Sequence, residues 1–259
     1  MNDVNKTLYI PLYGKAYVSK KGIILNDKKA EEIWLAEGFD LKGKSKSKWL
    51  AYYMGMRSAV FDQWLCEKMA KREEAVVLHL GCGLDSRVCR VGTKGHLWYD
   101  VDFSEVIEER KKYFAKSGEY HMIGTDVRDD QWLSELPTKE AIIVMEGVSM
   151  YLSQQELKGL LERLCEQFEQ VELLLDCYTE LAAKVSKYKN PINDVNVRSV
   201  YGINDPGMLE NQEFRFLKKH EITPEKLIEE LSGIEKLIFR KLYAGSFSEK
   251  LYRMYEFYK

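Results

Sequence analysis

The chain has 259 residues, 45% of them apolar, and its 39 basic and 41 acidic residues leave a net charge of -2. That is the profile of an ordinary globular chain long enough for one large domain with a substantial core. No apolar run reaches the roughly 18 residues of a membrane span, and the opening MNDVNKTLYI lacks a signal-peptide profile, so a cytoplasmic protein without membrane partners is expected.

Five cysteines occur with no CxxC pair and no histidines at zinc spacing. They read as reduced thiols, and no metal is expected. The one dense basic run, Lys42 to Lys48, is short and broken by Gly and Ser, which suits a solvated loop and argues against nucleic acid as a partner.

Residues 28–36 and 47–70 carry apolar positions at three- and four-residue steps and predict two helices ahead of the first strong strand, Ala75 to Leu80. A glycine turn follows, then a strand over Leu97 to Asp102 and a helix that Ser104 caps and that runs to about Phe114. Next come a strand at Tyr120 to Gly124, a helix around Asp130 to Leu136 and a strand at Ala141 to Glu146. Ser153 with Glu156 forms a capping box for an amphipathic helix to about Phe168, and Val171 to Cys177 makes a fifth strand.

Thr223 and Pro224 open a helix to about Leu231, and the segments EKLIFRKLY and SEKLYRMYEFY read as the two strands of a closing β-hairpin. Alternating strands and helices predict an α/β domain with a mostly parallel sheet and helices on both faces. A terminal hairpin departs from the dinucleotide-binding fold and suits a Rossmann-like, seven-stranded class I methyltransferase.

In LGCGLD, Gly81 and Gly83 allow positive φ and close backbone approach of a ligand at the strand's carboxyl end. The dinucleotide fingerprint wants a third glycine where Ser86 stands, which weakens a pyrophosphate reading. Asp102, ending the second strand with Asp100 one pleat away, can take both hydroxyls of a ribose or simply cap a turn. Asp126, followed by Val127, can accept an adenine amine or cap likewise. Glu146 is a carboxylate among apolar neighbours at a strand end, open to an ammonium, to a substrate or to an ordinary helix-facing role.

LHLGCGLDSR, WYDVDF, GTDVRD and MEGVSMYL stand in an order and spacing that resemble the leucine carboxyl methyltransferase family, and within it a bacterial branch of polyketide O-methyltransferases; LYGKA and MGMRSAVFDQWL extend the resemblance over nearly the whole chain. The resemblance implies S-adenosylmethionine as cofactor. It assigns Gly81 to the methionine part, Asp102 to the ribose, and Asp126 and Val127 to adenine, with Cys82, Gly83, Asp85 and Phe103 as further cofactor contacts; Glu146, at the fourth strand's end, is a cofactor contact and a catalytic candidate.

Arg57 matches the arginine that pairs with the cofactor's carboxylate, bidentate geometry favouring arginine over lysine, and Lys15 matches the N-terminal lysine, with Lys20 and Lys21 as competing alignments. Tyr151 would be a catalytic aromatic near the methyl group, or a tyrosine at the core edge. Cys82 stands where many relatives have alanine, and Asp85 with Arg87 reads as a turn-shaping pair.

The chain reads as one domain over 1–259, with residues 1–70 as a helical cap and 178–220 as an insertion covering the substrate. Tyr178, Arg198 and Tyr201 there are the candidate contacts to a small-molecule methyl acceptor; a surface excursion is the alternative. His79 reads as a core histidine and His96 and His121 as strand flanks, which leaves His220 as the histidine able to act as base. Transfer to a hydroxyl or carboxylate of a small molecule is the leading function. A protein C-terminal carboxyl methyltransferase, a non-catalytic cofactor-binding module and a nicotinamide-dependent oxidoreductase remain as alternatives.

Overall fold

The first sheet strand, VVLHL, is buried at every position because it is covered on both faces. A computed structural model describes residues 8–38, 41, 43–136, 139–186 and 200–259. Its described residues form a seven-stranded sheet from β1 (Val76–Leu80), β2 (Trp98–Asp102), β3 (Tyr120–Gly124), β4 (Glu140–Met145), β5 (Gln170–Tyr178), β6 (Arg215–His220) and β7 (Tyr252–Tyr258). The order is β3-β2-β1-β4-β5-β7-β6. The first five strands are parallel, and β7 runs antiparallel between β5 and β6.

Period-two alternation sends each strand's side chains into two separate cores. Val77, Ile142, Val144 and Leu174 face one layer with Phe61, Trp64 and Leu65. Val76, Leu78, Ile143 and Leu173 face the other with Leu157, Leu160 and Leu164. The first layer comes from α1 (Tyr9–Lys21), α2 (Lys28–Glu37) and α3 (Lys48–Met69).

Asp27 caps α2 through Ala30 N, Ser47 caps α3 through Trp49 N, and Gly22 in the left-handed region ends α1. α1 and α3 press together at Gly14 and Gly55, where an added Cβ would come within 2.7 Å of Met54 and 2.8 Å of Val18. Two short helices, α4 (Arg87–Val91) and α5 (Ser104–Arg110), follow β1 and β2. The second layer is built on α6 (Gln154–Gln167), which starts on the expected Ser153/Glu156 capping box.

The C-terminal third corrects the sequence reading. After α7 (Glu180–Ser186) and α8 (Glu225–Ile228), EKLIFRKLY lies in a helix, α9 (Gly233–Tyr243), followed by α10 (Gly245–Glu249). The antiparallel partner of β7 is instead β6, the last six residues of the segment expected as an insertion. The apolar positions Ile234, Leu237, Ile238 and Leu242 keep helical spacing, with Phe239 buried. β6, reading RFLKKH, is a largely exposed polar edge strand with none of the alternation that announces one. The helix expected at 130–136 is a single 3₁₀ turn, Gln131–Glu135.

Candidate active site

A cavity of about 650 Å³ opens where the carboxyl ends of the parallel strands meet the overlying α1 and α3. Strand order reverses between β1 and β4, the place where open α/β sheets leave a crevice for a ligand. Its floor is the glycine turn. Gly81 and Gly83 have φ of 65° and 52°, and a Cβ on Gly81 would stand 2.2 Å from Val148 Cγ2. Only glycine keeps that conformation and leaves the crevice clear.

On the β2 side, Asp102 accepts hydrogen bonds from Gly83 N and Phe103 N, both at 2.8 Å. The two amides hold its carboxylate toward the cavity with acceptor capacity left over. Burial pushes its pKa up to about 6 against those donors. Phe103 and Val127 line the same end. Asp126 also lines it but is engaged by the Arg128 guanidinium, whose Nε lies 2.9 and 3.0 Å from its two oxygens and whose terminal nitrogen pairs with it too, which holds its carboxyl below its usual value. Cys82 lines the cavity with a buried thiol that burial pushes well up, so it has no nucleophilic character.

The other end is a buried network of charge. Glu146 accepts from Arg57 Nε at 3.0 Å and Ser58 Oγ at 3.0 Å, and pairs with Arg87. Burial works against its charge, yet Arg57 and Arg87 hold it down to about 2. Lys15 pairs with Asp85 at 3.1 Å, and Asp85 also meets Arg90 at 2.8 Å and Arg87 at 3.4 Å; these cations hold its carboxyl well below normal despite burial. Arg57 reaches further, to Tyr252 Oη at 2.9 Å and Asp176 at 3.3 Å.

Of the residues singled out from sequence, Lys15, Arg57, Gly81, Cys82, Gly83, Asp85, Asp102, Phe103, Asp126, Val127, Glu146, Tyr151 and Tyr178 all line this one cavity. Tyr201 does not: it is 44% exposed and only its backbone N reaches Met150 O. Arg198 lies outside the described residues. His220 is corrected as a base, since it sits on β6 with Nε2 at 2.5 Å from Glu256, away from the cavity. His79 is a core residue as expected, its ring nitrogens at 3.2 Å from Asp100 and 3.0 Å from Arg87.

Sequence reasoning missed Tyr53, Asp176, Ser248 and Tyr252. Asp176 carried a signal: an acid amid the apolar run LLLDC of a central strand is costly to bury without partners.

A reversing parallel sheet, a side-chain-free turn at the first strand's end and an aspartate presented at the second define a class I methyltransferase. The residues fit its cofactor: the bare turn admits a backbone-close ligand, Asp102 offers a carboxylate with acceptor capacity for hydroxyls, and Lys15, Arg57 and Glu146 offer both signs of charge to a zwitterion. The model of the family described as leucine carboxyl methyltransferase matches residues 5–165, and the chain belongs to that family and uses S-adenosylmethionine.

It is 26% identical over 243 residues to the tetracenomycin polyketide synthesis O-methyltransferase TcmP of Streptomyces glaucescens, covering 92% of this chain and 90% of that protein. It is also 26% identical to the S-adenosyl-L-methionine-dependent methyltransferase dpfgK of Gibberella zeae, over 81% of this chain and 78% of that one. Among solved structures, magnesium protoporphyrin IX methyltransferase from Synechocystis with bound SAH shares the fold at a TM-score of 0.52 and 15% identity, covering 95% of this chain and 97% of its own.

Proposed function

We propose that this protein transfers a methyl group to an oxygen of a small aromatic molecule. The observation that carries this reading is the wall of the cavity beyond the charge network. There Tyr53 and Tyr178 pack edge-on against Tyr252 at 6.1 and 5.2 Å, with Leu50, Met54, Leu242 and Leu251 around them. Aromatic edges and aliphatic side chains favour a flat apolar acceptor. The polyketide O-methyltransferase named above supports the same substrate class.

When bound, S-adenosylmethionine supplies an electrophilic methyl on a positively charged sulfur. The chain's own work is alignment and exclusion of water. Asp102 holds the ribose hydroxyls, Val127 and Phe103 flank the adenine with Asp126, Lys15 and Arg57 face the amino-acid carboxylate, and Glu146 accepts from its ammonium. Tyr151 borders the reacting centre and Tyr178 the acceptor, with α1 and α3 as the cap; among the described residues of 178–220, Tyr178 alone lines the cavity. Five unpaired cysteines suit a reducing compartment, and we assign the protein to the cytoplasm.

Family membership sets the nicotinamide reading aside. Mass spectrometry of methylated products, with hydroxyarenes, arene carboxylic acids and a peptide ending in a leucine carboxylate offered side by side, tests the rest. Methyl on the hydroxyarene is expected. Methyl on the peptide alone would replace the small-molecule reading with protein carboxyl methylation, and cofactor binding with no product from any of the three would favour a non-catalytic module.

A further inference from the structure

The charge network has one arm that the cofactor reading does not use. Asp176 on β5 is fully buried. It accepts from Gly147 N at 2.7 Å and from Tyr252 Oη at 2.8 Å, and lies 3.3 Å from Arg57. Tyr252, opposite Tyr178 in the β5–β7 register, donates its proton to Asp176 and accepts one from Arg57. A phenolic oxygen can accept a second hydrogen bond, and Tyr252 is one of the residues lining the cavity. A buried carboxylate is thereby connected to a cavity-lining residue through a single hydrogen bond.

The other carboxylates there are otherwise committed. Glu146 is held by Arg57, Arg87 and Ser58, Asp85 by Lys15 and Arg90, and Asp126 by Arg128. Asp102 stands across the switch point, on the β2 side. No histidine lining the cavity is free to act, because His79 is bonded through both nitrogens. The groups facing Asp176 are Arg57 and Tyr53 from α3, Glu146 and Gly147 N after β4, Cys177 beside it on β5 and Tyr252 from β7. Burial outweighs Arg57 and raises Asp176 to about 6, in the range useful to a base near neutral pH.

We propose that Tyr252 is a catalytic residue that takes the proton of an aryl hydroxyl acceptor while passing its own to Asp176. This rests on the oxygen-methylation reading above. The acceptor's O–H bond breaks, its proton joins Tyr252 Oη, and the tyrosine's former proton crosses the 2.8 Å hydrogen bond to Asp176 Oδ2. The electron pair left on the acceptor oxygen forms the bond to the methyl carbon, and the pair of the broken C–S bond stays on sulfur. After product leaves, Asp176 returns its proton through Tyr252 to water. A carboxylate acceptor, ionised already near neutrality, would need no such route.

The test uses the full chain with 2-naphthol and 2-naphthoic acid as acceptors, comparing wild type with Tyr252→Phe and Asp176→Asn. Both variants are first checked by thermal melting and by S-adenosylhomocysteine affinity, so that a folding defect is separated from a chemical one. For 2-naphthol, with S-adenosylmethionine kept saturating at every pH so that protonation of Asp102 does not enter, kcat/KM should fall as pH drops through about 6 in wild type, where Asp176 becomes protonated. Each variant should lose about 100-fold, and Asp176→Asn should lose the acid limb as well.

Independently of turnover, the affinity of S-adenosylhomocysteine-loaded protein for 2-naphthol should weaken at least about threefold in Tyr252→Phe, the loss of one hydrogen bond. Equal turnover in the variants, an acid limb that survives Asp176→Asn, or 2-naphthol affinity that is absent or unchanged in Tyr252→Phe would each overturn the relay. Methylation of 2-naphthoic acid without 2-naphthol would also overturn it, while leaving methyl transfer to oxygen standing. Failure of wild type to bind S-adenosylhomocysteine would refute the methyltransferase reading itself.

Discussion

Replacing Asp102 by alanine separates a cofactor ligand from a turn-capping residue. The carboxylate is fixed by Gly83 N and Phe103 N, so under the proposed function it meets a ribose already oriented and can take both hydroxyls. Each charge-assisted hydrogen bond is worth roughly 1.5 kcal/mol or more, and losing one to two of them amounts to roughly a 10- to 100-fold weakening. Calorimetric titration with S-adenosylhomocysteine at pH 8, where the group is ionised, reads this directly.

The same assay in wild type should show affinity falling as pH drops through about 6, because burial raises Asp102 to that value and the neutral acid accepts less well. The sign for stability is opposite. A carboxyl whose folded pKa exceeds its unfolded value of roughly 3.9 lowers stability as pH rises between the two, so wild type should lose stability between about pH 4 and 6 through this group and the alanine variant should lack that dependence. Unchanged affinity together with a large drop in melting temperature would refute the ribose assignment and make Asp102 a structural cap.

Gly81→Ala should reduce cofactor affinity and cost at least about 1 kcal/mol, through its positive φ and the contact with Val148; denaturant unfolding measures it, and Val148→Ala in the same chain should recover part of the loss. Arg57→Ala leaves Asp176 without its cation and Glu146 with Arg87 alone and should destabilise by about 3–5 kcal/mol in urea melts, besides weakening cofactor binding. Ser153→Ala removes the side-chain cap of α6, so it should cost about 1 kcal/mol in denaturant unfolding.

The parallel half of the molecule was legible because its strands are short apolar runs punctuated by glycine and aspartate. Tyr120 to Gly124 falls on the expected residues, and β1 and β2 start one residue later than expected. The crevice was legible for the same reason: Gly81, Asp102 and Glu146 mark strand ends, and strand ends are where such a sheet presents ligands to its crevice. The C-terminal pairing was hidden because burial decides a strand, and β6 is a polar edge whose neighbour β7 supplies the apolar contact. In α9 a dense apolar run masked its helical spacing.

Tyr252 and Asp176 were hidden differently. They are 76 residues apart in sequence and meet only through antiparallel pairing of β5 with β7, a contact no local pattern announces.

The most direct measurement is a crystal structure of the full chain with S-adenosylhomocysteine. Ribose hydroxyls on Asp102, with the amino-acid end between Lys15, Arg57 and Glu146, is the expected result. A nucleoside bound elsewhere, with the glycine crevice closed by side chains, would contradict the account.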